Sequence, residues 1–380
     1  MSVKSGLDIL LGNIGLLGDT RGVLAATNHT ALSADLTHIT AILTSKLGDR
    51  FKGAVSPEHG LYSEHREGEV VYSGVDPLTG KPVYSWYSEE PGFKDEWFNG
   101  VDTLLYDIQD GGVRYHTHLA VLRSAIEFCT RRGIRLIVLD RPNPIRGDVV
   151  EGNIPDSTSI VCAWRIPIRY ALTVGELAQL IATEMGSNVD LHIIGLEGWR
   201  RNMWYDQTGM VWVPLSPNTP TLTTSILYPG TCLFEGTELS VGRGTTTPFE
   251  LLGSPWLDCV DVAHRFNALK LDGVRCRPTV FSPNYSKYNG EKCRGIYLHV
   301  LDRDALSPIR ATLHLMRIIL DIHGEQMVFG GRWRHFDLLT GSDKIRRAMV
   351  EGADPNEVVD SWGDEITKYK SKLEKHKLYP

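Results

Sequence analysis

The chain has 380 residues, 42% hydrophobic and 23% charged, the balance of an ordinary globular protein. At roughly 150 residues per domain, that is one large domain or two ordinary ones. Forty Lys and Arg against 46 Asp and Glu leave a net charge of −6, so neither a nucleic acid nor an anionic membrane is an expected partner.

No run of about 18 apolar residues is present, so no spanning helix and no integral membrane association are expected. The first residues carry Lys4, Asp8, Asp19 and Arg21, with no basic stretch leading into an apolar run. They read as the start of a cytoplasmic chain, although a periplasmic or secreted chain that had lost a leader would look the same. Cysteines at 129, 162, 232, 259, 276 and 293 form no C-x-x-C pair and no zinc-finger spacing. They read as buried, reduced thiols, with Cys276 to Cys293 the one pairing left open.

In chain order, short apolar runs at 23–27, 51–55, 83–86, 103–108, 135–140 and 191–196 predict strands covered on both faces. Helices are predicted between them. Residues 36–47 place Leu36, Ile39, Leu43 and Leu47 at spacings of three and four. Residues 118–132 do the same with Leu119, Leu122, Ile126 and Cys129. Residues 173–185 open on Thr173 and Glu176, a capping box, and continue with Leu177, Leu180 and Ile181. Alternating strands and helices predict an α/β, Rossmann-like, mostly parallel sheet with flanking helices over residues 1–212.

Pro214, Pro217 and Pro220 then break regular structure. Beyond them lie a Gly/Thr-rich stretch at 236–247, β-like runs at 274–281 and 295–300, and several helices. The last helix opens on Asp354 and Pro355 and runs through Val358, Trp362 and Ile366. Residues 213–380 are therefore expected to form a smaller α+β domain.

Polar residues collect just past the predicted strand ends, where an open α/β sheet builds its ligand site. These are Asn28, His29 and Thr30; Ser56, Pro57, Glu58, His59 and Gly60; Asp107, Gln109, Asp110, Arg114, Tyr115 and His116; and Asp140, Arg141, Pro142, Asn143 and Pro144. Each group also has a plainer reading. Glu58 can cap the next segment. Asp107 and Asp110 are either a pair with separated pKa values, or one caps the next helix while the other binds Arg114. Asp140 and Arg141 read as a local ion pair. His116 and His118 point to different sides in a strand or a helix, and His118 is expected to be structural.

Gly242, Arg243 and Gly244 would let a backbone and a guanidinium approach an anion together, or simply form a surface turn. No G-x-G-x-x-G follows the first strand, so no dinucleotide cofactor is expected, nor any other cofactor or resident metal. No G-x-S-x-G elbow is present, which argues against a serine hydrolase of the α/β class.

The segments 6–11, 27–30, 56–60, 106–110, 139–144, 151–152, 173–178 and 198–199 carry a family likeness. So do 212–214, 216–218, 228–236, 242–245 and 248–250. Together, and in this order, they resemble the exo-β-N-acetylmuramidase family of peptidoglycan glycosidases. The resemblance implies a Rossmann-type domain with an auxiliary domain. It also implies removal of a non-reducing N-acetylmuramic acid from muropeptides or other glycan fragments, with no nucleotide.

Glycoside cleavage needs a carboxyl to protonate the leaving oxygen and a second group as nucleophile or base. Glu58 is the expected acid, since it sits on a stiff turn past a strand end. Asp110 and Asp107 come next as partner, then Glu69 and Glu235, with Tyr115 as a non-carboxylate alternative and His29 as an orienting group. Arg114, Arg141 and Arg243 are the expected readers of the lactyl carboxylate. Asn28, His59, Asn143, Asn218 and Glu235 complete the expected sugar contacts. Two rivals remain at this stage. One is a non-catalytic binder of acidic sugars; the other is an amidase or deacetylase with a metal at His29, Glu58 and His59.

Overall fold

The computed structural model describes residues 2–327 and 333–380, which resolve into two compact units. The first unit comprises Met1–Val149, Ala171–Pro217 and Ser371–Pro380, and the second comprises Val150–Tyr170 and Asn218–Lys370. The division is therefore not the single cut near residue 212 that composition suggests. Residues 150–170 belong with the later unit, while residues 213–217 and 371–380 belong with the earlier one.

The strands of the first unit are β1 (Val23–Thr27), β2 (Phe51–Ser56), β3 (Gly74–Val75), β4 (Pro82–Ser85), β5 (Thr103–Asp107), β6 (Arg135–Leu139) and β7 (Leu191–Ile194). Their spatial order is β3-β4-β2-β1-β5-β6-β7. All neighbours run parallel except β3, which pairs antiparallel with β4. Apart from that edge strand, the order is third, second, first, fourth, fifth, sixth, that of a doubly wound nucleotide-binding sheet. Winding reverses at β1, so a crevice opens outside the carboxyl ends of β1 and β5. Their register places Thr27 opposite Asp107, which brings the two following loops side by side.

The helices of this unit are α1 (Gly6–Gly12), α2 (Ile39–Leu47), α3 (His118–Arg132) and α4 (Val174–Glu184). All five residues of β1 are buried, and Leu7, Leu10, Ile39, Leu43 and Leu105 close one core cluster against them. Helix α3 buries Leu119, Leu122, Ile126 and Cys129, as their spacing requires. Helix α4 carries the Thr173 and Glu176 capping box.

In the second unit, β8 (Leu251–Ser254), β9 (Val274–Phe281) and β10 (Cys293–Val300) form an antiparallel sheet in the order β8-β10-β9. Its helices are α5 (Leu222–Thr231), α6 (Cys259–Ala268), α7 (Pro308–His323), α8 (Trp333–Thr340), α9 (Lys344–Val350) and α10 (Pro355–Asp360), and α11 (Gly363–Leu373) follows.

Several elements differ from their sequence pattern for identifiable reasons. Helix α2 begins at Ile39 rather than Leu36. Leu36 has φ +64°, outside helical space, and His38 caps the helix by accepting the Thr40 N–H. The final helical pattern splits into α10 and α11, although Asp354 and Pro355 do start it. Helix α5 and strand β8 have no sequence counterpart; α5 holds Pro229 in its interior, which a local reading takes for a breaker. All six cysteines are free and buried.

Gly6 tests how tightly α1 seats on the sheet. A Cβ there would lie 2.3 Å from the Ile194 carbonyl oxygen and 2.5 Å from the Asp140 nitrogen, whereas Gly12 has open space. Gly6→Ala is expected to cost about 1–3 kcal/mol of stability, the usual range for overpacking, in urea unfolding. Gly12→Ala should leave the midpoint unchanged or raised.

Candidate active site at the carboxyl edge of the parallel sheet

The loops beyond β1, β5 and β6 are bolted together by buried polar contacts. Asn28 Oδ1 accepts from the Thr30 N–H at 3.1 Å and hydroxyl at 2.6 Å. Thr30 Oγ1 accepts the Gln109 N–H at 3.0 Å. The Gln109 amide donates to the Asp110 and Pro142 carbonyls, both at 2.8 Å. Arg141 then grips Asp107 with two parallel bonds, Nε to Oδ1 at 2.5 Å and Nη2 to Oδ2 at 3.1 Å, and donates to the Leu32 carbonyl. The side chains of this pair are 3% and 0% exposed.

This corrects the local reading of Asp140 and Arg141. The Arg141 guanidinium goes to Asp107 on the neighbouring strand, not to Asp140. Asp140 accepts instead from the Arg141 and Gly175 N–H groups and from the Thr173 and Tyr379 hydroxyls. Burial pushes its carboxyl up to about 6 against the pull of these donors. Asn143 spans the same loop, donating to the Leu172 carbonyl and accepting from Ile145. Gly112, at φ +72°, lets Asn143 come close, since a Cβ would sit 2.3 Å from Asn143 Oδ1. Asp110 Oδ1 accepts the Gly112 N–H at 2.7 Å. Arg114 is fully buried, with its guanidinium 5.8 Å from the Tyr115 ring centre.

The expected residues thus separate by exposure. Asn28, Asp107, Asp110, Arg114, Tyr115, Arg141 and Asn143 are buried, whereas His29, Glu58 and His59 are half-exposed. The half-exposed three are the ones more open to solvent.

Glu58 sits on a tightly wound turn. His59 (φ +73°) and Gly60 (φ +85°) are both left-handed, and the Gly60 N–H returns to the Pro57 carbonyl at 3.2 Å. His59 and His65 close the loop: His65 N donates to the His59 carbonyl, and His59 Nδ1 lies 3.0 Å from the His65 carbonyl. Glu58 Oε1 accepts the Gly68 N–H at 3.0 Å, and Oε2 accepts the Thr117 hydroxyl at 2.8 Å. Burial, with the charge of the Glu58 carboxylate, pushes the Tyr87 phenol up to about 12.

His29 lies 2.6 Å by Nε2 from the Pro214 carbonyl. A carbonyl only accepts, so Nε2 carries the proton and Nδ1 is left as an acceptor. Burial lowers the pKa of His29, with its hydrogen bond to Pro214 opposing. Its Nδ1 is buried without a hydrogen-bond partner among the described residues, as are Thr27 Oγ1, Gln109 Oε1 and His118 Nδ1. All four atoms belong to the loops and helix start around the β1 and β5 ends.

His116 and His118 do not diverge as a strand or helix spacing predicts. Their rings stack at 5.8 Å because His116 lies before the helix and His118 within its first turn. Burial lowers the pKa of His116 to about 4 and of His118 well below the ordinary value, so both rings are neutral.

Of the remaining expected residues, Glu69 lies in the first unit and accepts the Arg66 N–H at 3.1 Å, and the others lie in the second unit. Arg243 Nε donates to Glu235 Oε1 at 2.6 Å, and its guanidinium lies 5.2 Å from the Phe249 ring centre. Burial pushes the Glu235 carboxyl up, but Arg243 outweighs it and the net shift is downward. Asn218 accepts a hydrogen bond from the Tyr285 hydroxyl. The Lys287 ammonium donates to the carbonyls of Glu235, Thr237 and Leu239, wrapping that loop around itself. Sequence reasoning missed Gln109 as a strut, Lys287, Thr117 and Tyr379. None carries a local signal, since each partner is distant in sequence or is a backbone carbonyl.

Comparison with known proteins agrees across the whole chain. The family described as exo-beta-N-acetylmuramidase NamZ, N-terminal, matches residues 23–223, and its C-terminal counterpart matches residues 226–379. The peptidoglycan beta-N-acetylmuramidase NamZ of Bacillus subtilis (strain 168) is 34% identical over 99% of this chain and 91% of its own. A crystal structure of a DUF1343 family protein from Bacteroides fragilis NCTC 9343 superposes with a TM-score of 0.92 at 31% identity, over 100% of this chain and 99% of that one. A second DUF1343 protein of the same organism gives a TM-score of 0.77 at 26% identity, over the same shares.

Two outcomes follow from the buried charges. Arg141→Leu strands Asp107 in the interior and is expected to cost about 3–5 kcal/mol in chemical denaturation, most of it restored by adding Asp107→Asn. Asp140 binds a proton more tightly folded than unfolded. Its contribution is therefore fully present below the unfolded value of 3.8 and is lost as pH rises towards about 6. Across that window the Tm of Asp140→Asn, relative to the parent, should rise, and above it the difference should level off.

Proposed function

The chain belongs to the NamZ exo-β-N-acetylmuramidase family, and from that premise we propose how its residues carry out the reaction. The enzyme is a glycosidase that hydrolyses the β-glycosidic bond of a terminal N-acetylmuramic acid in peptidoglycan fragments.

In this reading Glu58 protonates the leaving oxygen. The observation that carries it is exposure. Of the first-unit carboxyls expected at the strand ends, Asp107 and Asp110 are buried, and Asp107 is committed to Arg141. Glu58 is half-exposed and still fixed through both oxygens. One of its donors is a hydroxyl, which can turn to accept when the carboxyl carries the proton. Fixing the acid before substrate arrives removes the entropy cost of orienting it later.

His29 accepts a hydrogen bond from a sugar hydroxyl through Nδ1, an acceptor that the Pro214 contact creates. His59, beside Glu58, contacts the same ring. Asp110 is the proposed second carboxyl, with Tyr115 next. Among the proposed readers of the lactyl carboxylate, Arg141 already spends Nε and Nη2 on Asp107. Arg114 is the other first-unit candidate.

The test is release of 4-nitrophenol from its N-acetylmuramic acid β-glycoside. Glu58→Gln, with an unchanged circular dichroism spectrum, should lower turnover by at least about a hundredfold, the scale of a lost general acid. Turnover near that of the parent would show that another group serves as the acid.

A further inference from the structure

Thr117 immediately precedes the 15-residue helix α3 and occupies its N-cap position. A threonine there normally turns its hydroxyl onto an N–H of the first turn, which stabilises the helix. This one makes no such bond. Its backbone is at φ −62° and ψ −16°, already helical rather than extended, so the hydroxyl is not aimed at the first turn. It lies 2.8 Å from Glu58 Oε2, on a residue 59 positions earlier in the chain. A cap residue that abandons its own helix for a distant carboxyl breaks a local rule with no local gain, as functional sites do.

The corner bearing Thr117 is rigid. Its carbonyl accepts from Ala120 and Val121, and it is flanked by the stacked rings of His116 and His118. The His118 carbonyl accepts the Tyr106 hydroxyl at 3.0 Å, and Gly111 lies so close to His116 that a Cβ would meet its Nε2 at 2.4 Å.

We infer that Thr117 is a positioning residue that fixes the Glu58 carboxyl in its reactive orientation. The inference rests on the reading of Glu58 as the catalytic acid. Thr117 does not touch the reacting atoms; it acts through Glu58.

Thr117→Val removes the hydroxyl and keeps the shape. With the chromogenic glycoside, kcat should fall about tenfold or more, the scale of one lost hydrogen bond to a reacting carboxyl, while KM stays within about twofold. Thr117→Ser should restore kcat to within about threefold of the parent, since one hydrogen bond is regained. Thermal stability of the valine variant should match the parent, because no cap is lost. Thr117→Ala, which also removes the hydroxyl, should likewise lower kcat with little change in KM, and it serves as the test if the valine variant does not fold. Parent-like kcat in Thr117→Val or in Thr117→Ala, with Glu58→Gln inactive, overturns this inference and leaves the role of Glu58 standing. A valine variant that loses stability and activity together, without rescue by serine, also overturns it, since that is the behaviour of an ordinary cap. An active Glu58→Gln removes the premise and the inference with it.

Discussion

Two opposite charges sealed from water, Arg141 and Asp107, hold the carboxyl edge of the first unit together. Desolvating both is costly, and only their paired bonds and the extra Leu32 contact offset it. Such a pair adds little net stability over an apolar filling, but it permits one geometry. Asp107 ends β5, Arg141 follows β6, and Leu32 belongs to the loop after β1. With these three fixed, Gln109 and Thr30 fall into place between them, and Asp140 locks the Arg141 backbone from behind. The half-exposed His29, Glu58 and His59 stand in the neighbouring loops, each held by hydrogen bonds of its own.

The strand order is that of a dinucleotide-binding sheet, yet the first crossing differs where a cofactor would matter. A pyrophosphate needs glycines so that a backbone can approach it. Here the loop after β1 offers Asn28, His29 and Thr30, and the Asn28 and Thr30 side chains bond to each other. The same topological switch point is thereby furnished for polar side-chain recognition, which suits a hydroxyl-rich sugar. A peptidoglycan glycosidase on this frame is a case of one fold carrying unrelated chemistry through its loops.

How much of this the sequence shows depends on the range of the interactions. The strands and α3 come from local periodicity, and their cores match because burial follows spacing. The capping box at Thr173 is equally local and equally legible. That polar residues gather past strand ends is legible too, since it needs only a strand and a direction. What such a pattern cannot separate is a residue that builds the rim from one that faces substrate. Asp107 and Glu58 look alike in the sequence, and their difference is an arginine 34 residues beyond the first. Thr117 holds the N-cap position of α3, yet its hydroxyl partner lies 59 residues away, where no local pattern points. Leu36 fits a helical face but takes a left-handed turn, with His38 as the cap. The return of residues 371–380 to the first unit is likewise invisible to composition, because the Tyr379 contact with Asp140 is a tertiary fact.

The account stands on one location: the sugar is held where β1, β2 and β5 end, against Glu58 and His29. A crystal of the enzyme soaked with free N-acetylmuramic acid tests this directly. The account predicts density for the pyranose within hydrogen-bonding distance of the Glu58 carboxyl and of His29 Nδ1. Ordered sugar bound elsewhere, with both groups untouched, would contradict it.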